Sequence, residues 1–219
     1  MKKKKKPELP QLERREFIFD VSAREDDTGH FIEGRPIVYD SRTNLGDFDE
    51  VIVAGALDNT DLRDVRFLVN HNLDMIPMAR SRRNNGNSTM QLIVDQAGMG
   101  IRVNLDTENN ATSRALYSAV GRGDITGMSF LFGVNDEEWV NLESDHPERR
   151  IKSISTVVEV SAVTFPAYDA TTIEARDREA LESARAALEK ARQSRANLLD
   201  SRNATLDLLK EQAKILGGF

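Results

Sequence analysis

Residues 90–105 read MQLIVDQAGMGIRVNL, and this stretch decides the fold class. Met90, Leu92 and Val94 fall at every second position. Met99, Ile101, Val103 and Leu105 do the same, with Gly98 and Gly100 beside the link. Side chains two residues apart share one face of an extended strand, so two such runs joined by a short glycine-bearing link predict a β-hairpin. The signal recurs outward in both directions. Phe17, Phe19 and Val21 alternate upstream. Downstream, residues 125–134 (ITGMSFLFGV) and 156–165 (TVVEVSAVTF) are rich in β-branched and aromatic residues, and Trp139 and Val140 begin a further strand between them. Two helices interrupt the strands. One is expected near 59–64; the other runs over about 110–120, where Asn110 or Thr112 caps and Gly121 terminates. The expectation is a mainly β domain with flanking helices (α+β) over residues 16–172, a β-barrel with helices packed outside.

Beyond that domain the composition changes. From Asp169 to Leu216 there is neither glycine nor proline, and alanine, leucine, arginine and glutamate dominate, which predicts one long C-terminal helix. Leu181, Ala184, Leu188, Ala191 and Leu198, then Leu206, Leu209, Ala213 and Leu216, recur mostly at steps of three and four. Arg195 and Arg202 interrupt this seam, which is narrow and alanine-rich and suits a partner helix better than a globular core. Residues 173–219 therefore read as a helical tail, and residues 1–15, with Lys2 to Lys6, as a basic disordered arm.

Charge and composition exclude several classes of function. The 219 residues carry a net charge of −6; residues 1–6 hold +5 and 173–219 hold +1, which leaves −12 on 7–172. An acidic body lacks the basic face that displaces counterions from nucleic acid, so no specific nucleic-acid partner is expected. With no cysteine, there is no disulfide framework, cysteine zinc site or cysteine nucleophile. The three histidines, His30, His71 and His146, are scattered and form no HExxH, so no metal and no cofactor are expected. No run approaches the roughly 18 apolar residues of a membrane span. No apolar segment follows the lysine run, and the chain reads as intracellular.

Three residues stand out as candidates for chemistry. His71 follows the alternating Val65, Phe67 and Val69, at the end of a strand and between Asn70 and Asn72. A strand end holds a side chain rigidly within reach of substrate, and histidine titrates near neutrality. Ser129 sits among Met128, Phe130, Leu131 and Phe132, two residues after Gly127. Glu159 stands in a strand whose two faces, Val157/Glu159/Ser161/Val163 and Val158/Val160/Ala162, are both largely apolar. A carboxylate buried there needs a partner. Read singly, each leaves a structural alternative open: a hydrogen-bonded histidine, a buried serine, an ion pair of Glu159 with Arg80 or Arg102. Together they are the residue types of acyl transfer, a nucleophile, a base and an acid that orients the base.

In order and spacing, four segments resemble the caudovirus prohead serine protease family of tailed phages: GRPIVYDSRTNLGDFDEVIVAGAL (34–57), VRFLVNHN (65–72), ITGMSFLFGV (125–134) and VVEVSAVTFPAYDAT (157–171). The second resembles the segment with the family histidine and the third that with the family serine; Asn72 stands where many members carry aspartate. The resemblance implies a β-barrel related to the herpesvirus assemblin fold, with His71, Ser129 and Glu159 as catalytic residues. Assemblins have a second histidine in the third position, which makes His146 the other candidate; its setting, ESDHPERR, reads as an exposed turn. The implied activity is a serine endopeptidase that cleaves scaffold, the delta segment of the major capsid protein, and itself, inside the procapsid in the host cytoplasm. The implied partners are that capsid protein with its scaffold segment, and further copies through the C-terminal helix, with no membrane involved. Substrate is expected to add as a strand beside the barrel. The other readings are a catalytically silent scaffold or assembly protein acting through its helix, and a different hydrolase such as an esterase.

Overall fold

The computed structural model describes residues 12–18, 21–164 and 175–216. The hairpin predicted at its centre is present as β8 (Met90–Asp95) and β9 (Gly98–Asn104), antiparallel, with Met90 opposite Val103 and Asp95 opposite Gly98. Gly98 is required there. Its φ is +130°, and a Cβ would lie 2.0 Å from the Ile37 carbonyl oxygen. Strands β2 (Ser22–Asp26) and β3 (Gly29–Val38) complete a four-stranded sheet in the order β2-β3-β9-β8.

The second sheet is built on one long hairpin, β10 (Gly127–Val140) with β11 (Glu148–Val163). Around it stand β1 (Leu12–Ile18), β5 (Asp49–Ile52) and β4 (Arg42–Asn44), in the order β1-β10-β11-β5-β4. Strand β6 (Arg66–Val69) pairs with β11 in parallel, and β7 (Ala79–Arg80) pairs with β6. The core lies between the sheets. Ile32, Ile37, Met99 and Val103 of one meet Phe67, Phe130, Phe132, Val157 and Val160 of the other, all buried. Helix α1 (Ala111–Gly121) covers one end; the Asn110 side chain accepts the N–H groups of Thr112 and Ser113, and Leu116 and Val120 are buried beneath it.

The mainly β architecture with a C-terminal helix is therefore found, with four differences from the sequence-based expectation. The strands form two sheets that do not close into one barrel. The hairpin runs much further than either apolar run indicates. Four register shifts between Leu131 and Glu137 carry it through a polar stretch, and Trp139 and Val140 continue β10 and do not start a new strand. Residues 59–64 are not helical. After a series of turns, the Asp61 N–H donates to the Ser155 carbonyl at 2.9 Å and the Val157 N–H to the Asp61 carbonyl at 3.3 Å. Backbone groups that a helix would use internally are taken by β11. Finally, the sheet begins at Leu12, so residues 12–15 belong to β1 and not to a disordered arm; residues 1–11 and Phe19 lie outside the described residues.

Helix α2 (Ala175–Leu216) touches the body near its start. Ala184 packs with Phe48, Leu45 and Trp139, Leu188 is buried, and Arg185 pairs with Asp47 at 2.6 Å. Side chains from 193 to 212 are exposed, Leu198, Leu206 and Leu209 included. No helix among the described residues is long and apolar enough to cross a membrane.

A buried charge cluster ties β1 to this frame. Arg15 Nη2 contacts Glu13 Oε2 at 2.7 Å and Glu50 Oε2 at 2.6 Å. Arg149 Nη1 contacts the same two oxygens at 2.6 and 2.9 Å, and its Nε reaches Glu137 at 2.8 Å. Arg15, Glu13, Glu50 and Arg149 are all nearly fully buried. Burial alone pushes the Glu13 carboxyl up, but the Arg149 and Arg15 guanidiniums outweigh it and hold Glu13 below its ordinary 4.5.

Removing one partner from such a cluster leaves an uncompensated buried charge. Arg149→Leu is expected to lower unfolding stability by about 3–5 kcal/mol in urea titration. Because the folded-state carboxyl of Glu13 titrates below 4.5, its contribution is complete above that pH and is lost as pH falls through the lower folded value. The urea midpoint should therefore fall on acidification below 4.5, less steeply in Glu13→Gln.

Candidate active site

Strand β6 delivers His71 and strand β11 receives it. The parallel pairing sets Arg66 opposite Glu159 and Leu68 opposite Ser161, and just past Val69 the chain turns back. Asn70 and His71 make that turn with φ of 50° and 54°, a left-handed conformation that non-glycine residues seldom adopt and that asparagine and histidine adopt more readily than most. Both are held in it. The Asn70 N–H donates to the Ala162 carbonyl at 2.9 Å. The Asn70 side chain exchanges hydrogen bonds with Thr164, donating to its Oγ1 at 3.0 Å and accepting its N–H at 2.9 Å. The His71 N–H donates to Ser161 Oγ at 3.1 Å.

That turn aims the imidazole between two strands of the sheet. Nδ1 contacts Glu159 Oε1, and Nε2 lies 2.5 Å from Ser129 Oγ. The antiparallel register that sets Ser129 opposite Ser161 in β10 and β11 brings the serine to the same place. The structure thus unites His71, Ser129 and Glu159, from positions 58 and 30 residues apart in the chain. His146 is elsewhere, its Nε2 2.8 Å from Asp49 Oδ1. The arginines weighed as partners of Glu159 are engaged with other acids, Arg80 with Asp64 and Arg102 with Asp26.

A carboxylate against Nδ1 fixes the imidazole proton on that nitrogen and leaves Nε2 as an acceptor facing the serine. The Ser129 hydroxyl has one proton and two acceptors within reach, Nε2 and the Arg15 carbonyl at 2.8 Å. Donation to Nε2 is the arrangement from which a base can withdraw the proton and leave an oxygen nucleophile. Among the described residues no group of three or more histidine and acidic side chains is placed to hold a metal ion.

Ser161 is the member that motif reading passes over. Its hydroxyl donates to Glu159 Oε2 at 2.7 Å while accepting the His71 N–H, so one side chain braces both the acid and the backbone of the base. The signal in the sequence was its place two residues after Glu159, on the same face of the strand. All of this is enclosed. Ser129, Glu159 and Ser161 have no exposed surface and His71 is 4% exposed. Both edges of β10 are paired, with β1 and with β11, so the strand that carries the serine offers no free edge itself.

Comparison with known proteins points to one family. A family model described as caudovirus prohead serine protease matches residues 18–185, about three quarters of the chain. Among solved structures, the bacteriophage T4 capsid assembly protease gp21 is similar at 12% sequence identity, with a TM-score of 0.41, over 72% of this chain and 99% of that one. No curated protein matches the sequence.

Truncating Ser161 to alanine removes a donor from the buried Glu159 carboxylate and an acceptor from the strained turn. The expected loss is about 1–3 kcal/mol of unfolding free energy. Ser161→Thr, which keeps the hydroxyl, should recover part of it in the same urea titration; equal losses for the two variants would show that volume and not hydrogen bonding is at issue.

Proposed function

This chain belongs to the caudovirus prohead serine protease family, and on that premise we propose that it is a serine endopeptidase of capsid maturation working through Ser129, His71 and Glu159. The observation that carries the mechanism is the continuous contact from Glu159 through the two nitrogens of one imidazole to Ser129 Oγ. Ser129 Oγ attacks the carbonyl carbon of the scissile peptide while His71 Nε2 takes the hydroxyl proton. Glu159 keeps the Nδ1 proton in place and stabilises the imidazolium that forms. Collapse of the tetrahedral intermediate breaks the C–N bond, and the departing amine takes the proton from Nε2. A water molecule, deprotonated by the same nitrogen, then releases the acyl group and restores the serine.

The groups are assembled but covered, so access to Ser129 is the step that activation must supply. The substrates fitting this reading are the scaffold or delta segment of the capsid protein and the protease chain itself, processed inside the procapsid. The domain division that goes with it is a protease body followed by a scaffold-like helical tail. The exposed leucines of α2 support an associating role for that tail, which would concentrate the enzyme among its substrates. The complete burial of Ser129 favours one other reading, a silent assembly protein that acts only through this helix.

Ser129→Ala should fold and lower precursor processing at least about 10⁴-fold, followed as accumulation of uncleaved chains on gels; His71→Ala should lower it as much and also lose stability, because it leaves the buried Glu159 carboxylate without its imidazole partner. Normal processing by His71→Ala would select the silent reading. Mass spectrometry of mature particles should find the chain cut before its end; recovery of the intact sequence through Phe219 would rule out removal of the tail.

A further inference from the structure

A cleft of about 560 Å³ opens beside β11, on residues that the catalytic proposal does not use. Its floor is Thr156, Val157 and Val158, the residues just before Glu159, and its rim is basic: Arg63, Arg80, Arg82 and Arg83. Two aspartates share the rim, and each is already engaged. Asp61 binds Arg63 through both oxygens at 2.8 and 2.6 Å, and Asp64 binds Arg80 at 2.5 and 2.7 Å. No carboxylate among the described residues pairs with Arg82 or Arg83, so the cleft has a surplus of two positive charges on a body that is otherwise acidic. Side-chain and backbone hydrogen bonds from Arg63, with a smaller contribution from Arg83, hold the Asp61 carboxyl down at about 2.

The two arginines stand on a loop that is already ordered. The Arg82 N–H donates to Ser88 Oγ at 2.9 Å and the Arg83 N–H to the Arg63 carbonyl at 2.8 Å. Next to them, the Asn84 side chain donates to the Leu92 carbonyl and accepts the Leu92 N–H, both at 2.8 Å. A preformed basic rim over a partly apolar floor matches an extended acidic peptide. It does not match nucleic acid. The basic patch is small and contains two aspartates, and the charge of −12 on residues 7–172 repels polyphosphate.

We propose that this cleft is an exosite for an acidic segment of the peptide substrate, with Arg82 and Arg83 as its recognition residues. The inference rests on the protease reading and adds a substrate class to it. Ser161, opposite Ser129, lies three to five residues along β11 from the cleft floor, about 10–17 Å at strand rise. A substrate whose scissile bond reached Ser129, once uncovered, would lie over the cleft floor with residues about three to five positions away.

The test uses the full-length Ser129→Ala chain, so that binding is read without hydrolysis and does not depend on the catalytic assignment. Fluorescence anisotropy compares a labelled octapeptide carrying four glutamates, its glutamine counterpart, and an eight-nucleotide oligothymidylate. The glutamate peptide should bind about tenfold more tightly than the glutamine one at low salt, and the margin should shrink as salt is raised. Arg82→Glu with Arg83→Glu should erase the margin, and lysine at both positions should keep most of it. Equal binding of the two peptides, a margin untouched by charge reversal, or tighter binding of the oligonucleotide would each overturn the proposal. Loss of processing in Ser129→Ala reports on the protease reading separately.

Discussion

The carboxylate of Glu159 has no contact with solvent, and both of its oxygens are engaged, one by the His71 imidazole and one by the Ser161 hydroxyl. A buried charge with a missing partner is costly, so β11 admits glutamate here only while β6 presents the histidine at the right height. The demand runs in the other direction as well. The left-handed turn at Asn70 and His71 is unfavourable for most side chains, and hydrogen bonds to Ala162, Thr164 and Ser161 hold it in place. Acid, base and turn therefore stand or fall together, and the parallel pairing of β6 with β11 is what brings them into register.

Much of the frame was legible because it rests on local signals. Alternation gave the β8–β9 hairpin, and a capping residue at Asn110 or Thr112 with Gly121 at the end gave α1. The ends of β10 and β11 were illegible because residues 135–153 are mostly polar; they are strands because the partner strand and β5 supply their hydrogen bonds, which no local pattern records. The helix expected at 59–64 failed for the same reason, since β11 captures the Asp61 backbone. The start of β1 was hidden by the charged residues of LERRE. A charge run usually marks a solvated face, and only Glu50, 35 residues from Arg15, and Arg149, 136 residues from Glu13, make burial of Glu13 and Arg15 tolerable.

At the site the residue types were visible and their meeting was not. His71, Ser129 and Glu159 were each weak as single residues and gained weight as an ordered set resembling a family. What sequence could not convey was enclosure. Nothing in ITGMSFLFGV says that β1 and β11 both pair with the serine strand, or that the Arg15 carbonyl lies within reach of the same hydroxyl that faces the imidazole. On the proposed catalytic reading, the arrangement supplies the geometry and withholds access.

The long-range pairing of β11 also orders events in time. The hairpin that completes the sheet ends at Val163, and His71 finds its acid 88 residues downstream. A chain growing from the ribosome has made its histidine strand well before any of β11 exists, and closing so large a loop is slow compared with local helix formation. Each nascent molecule therefore lacks the acid beside its histidine for most of its synthesis. A chain stopped before β11 would lack Glu159, Ser161 and the support for β6 at once, and on the proposed reading would leave no half-active fragment.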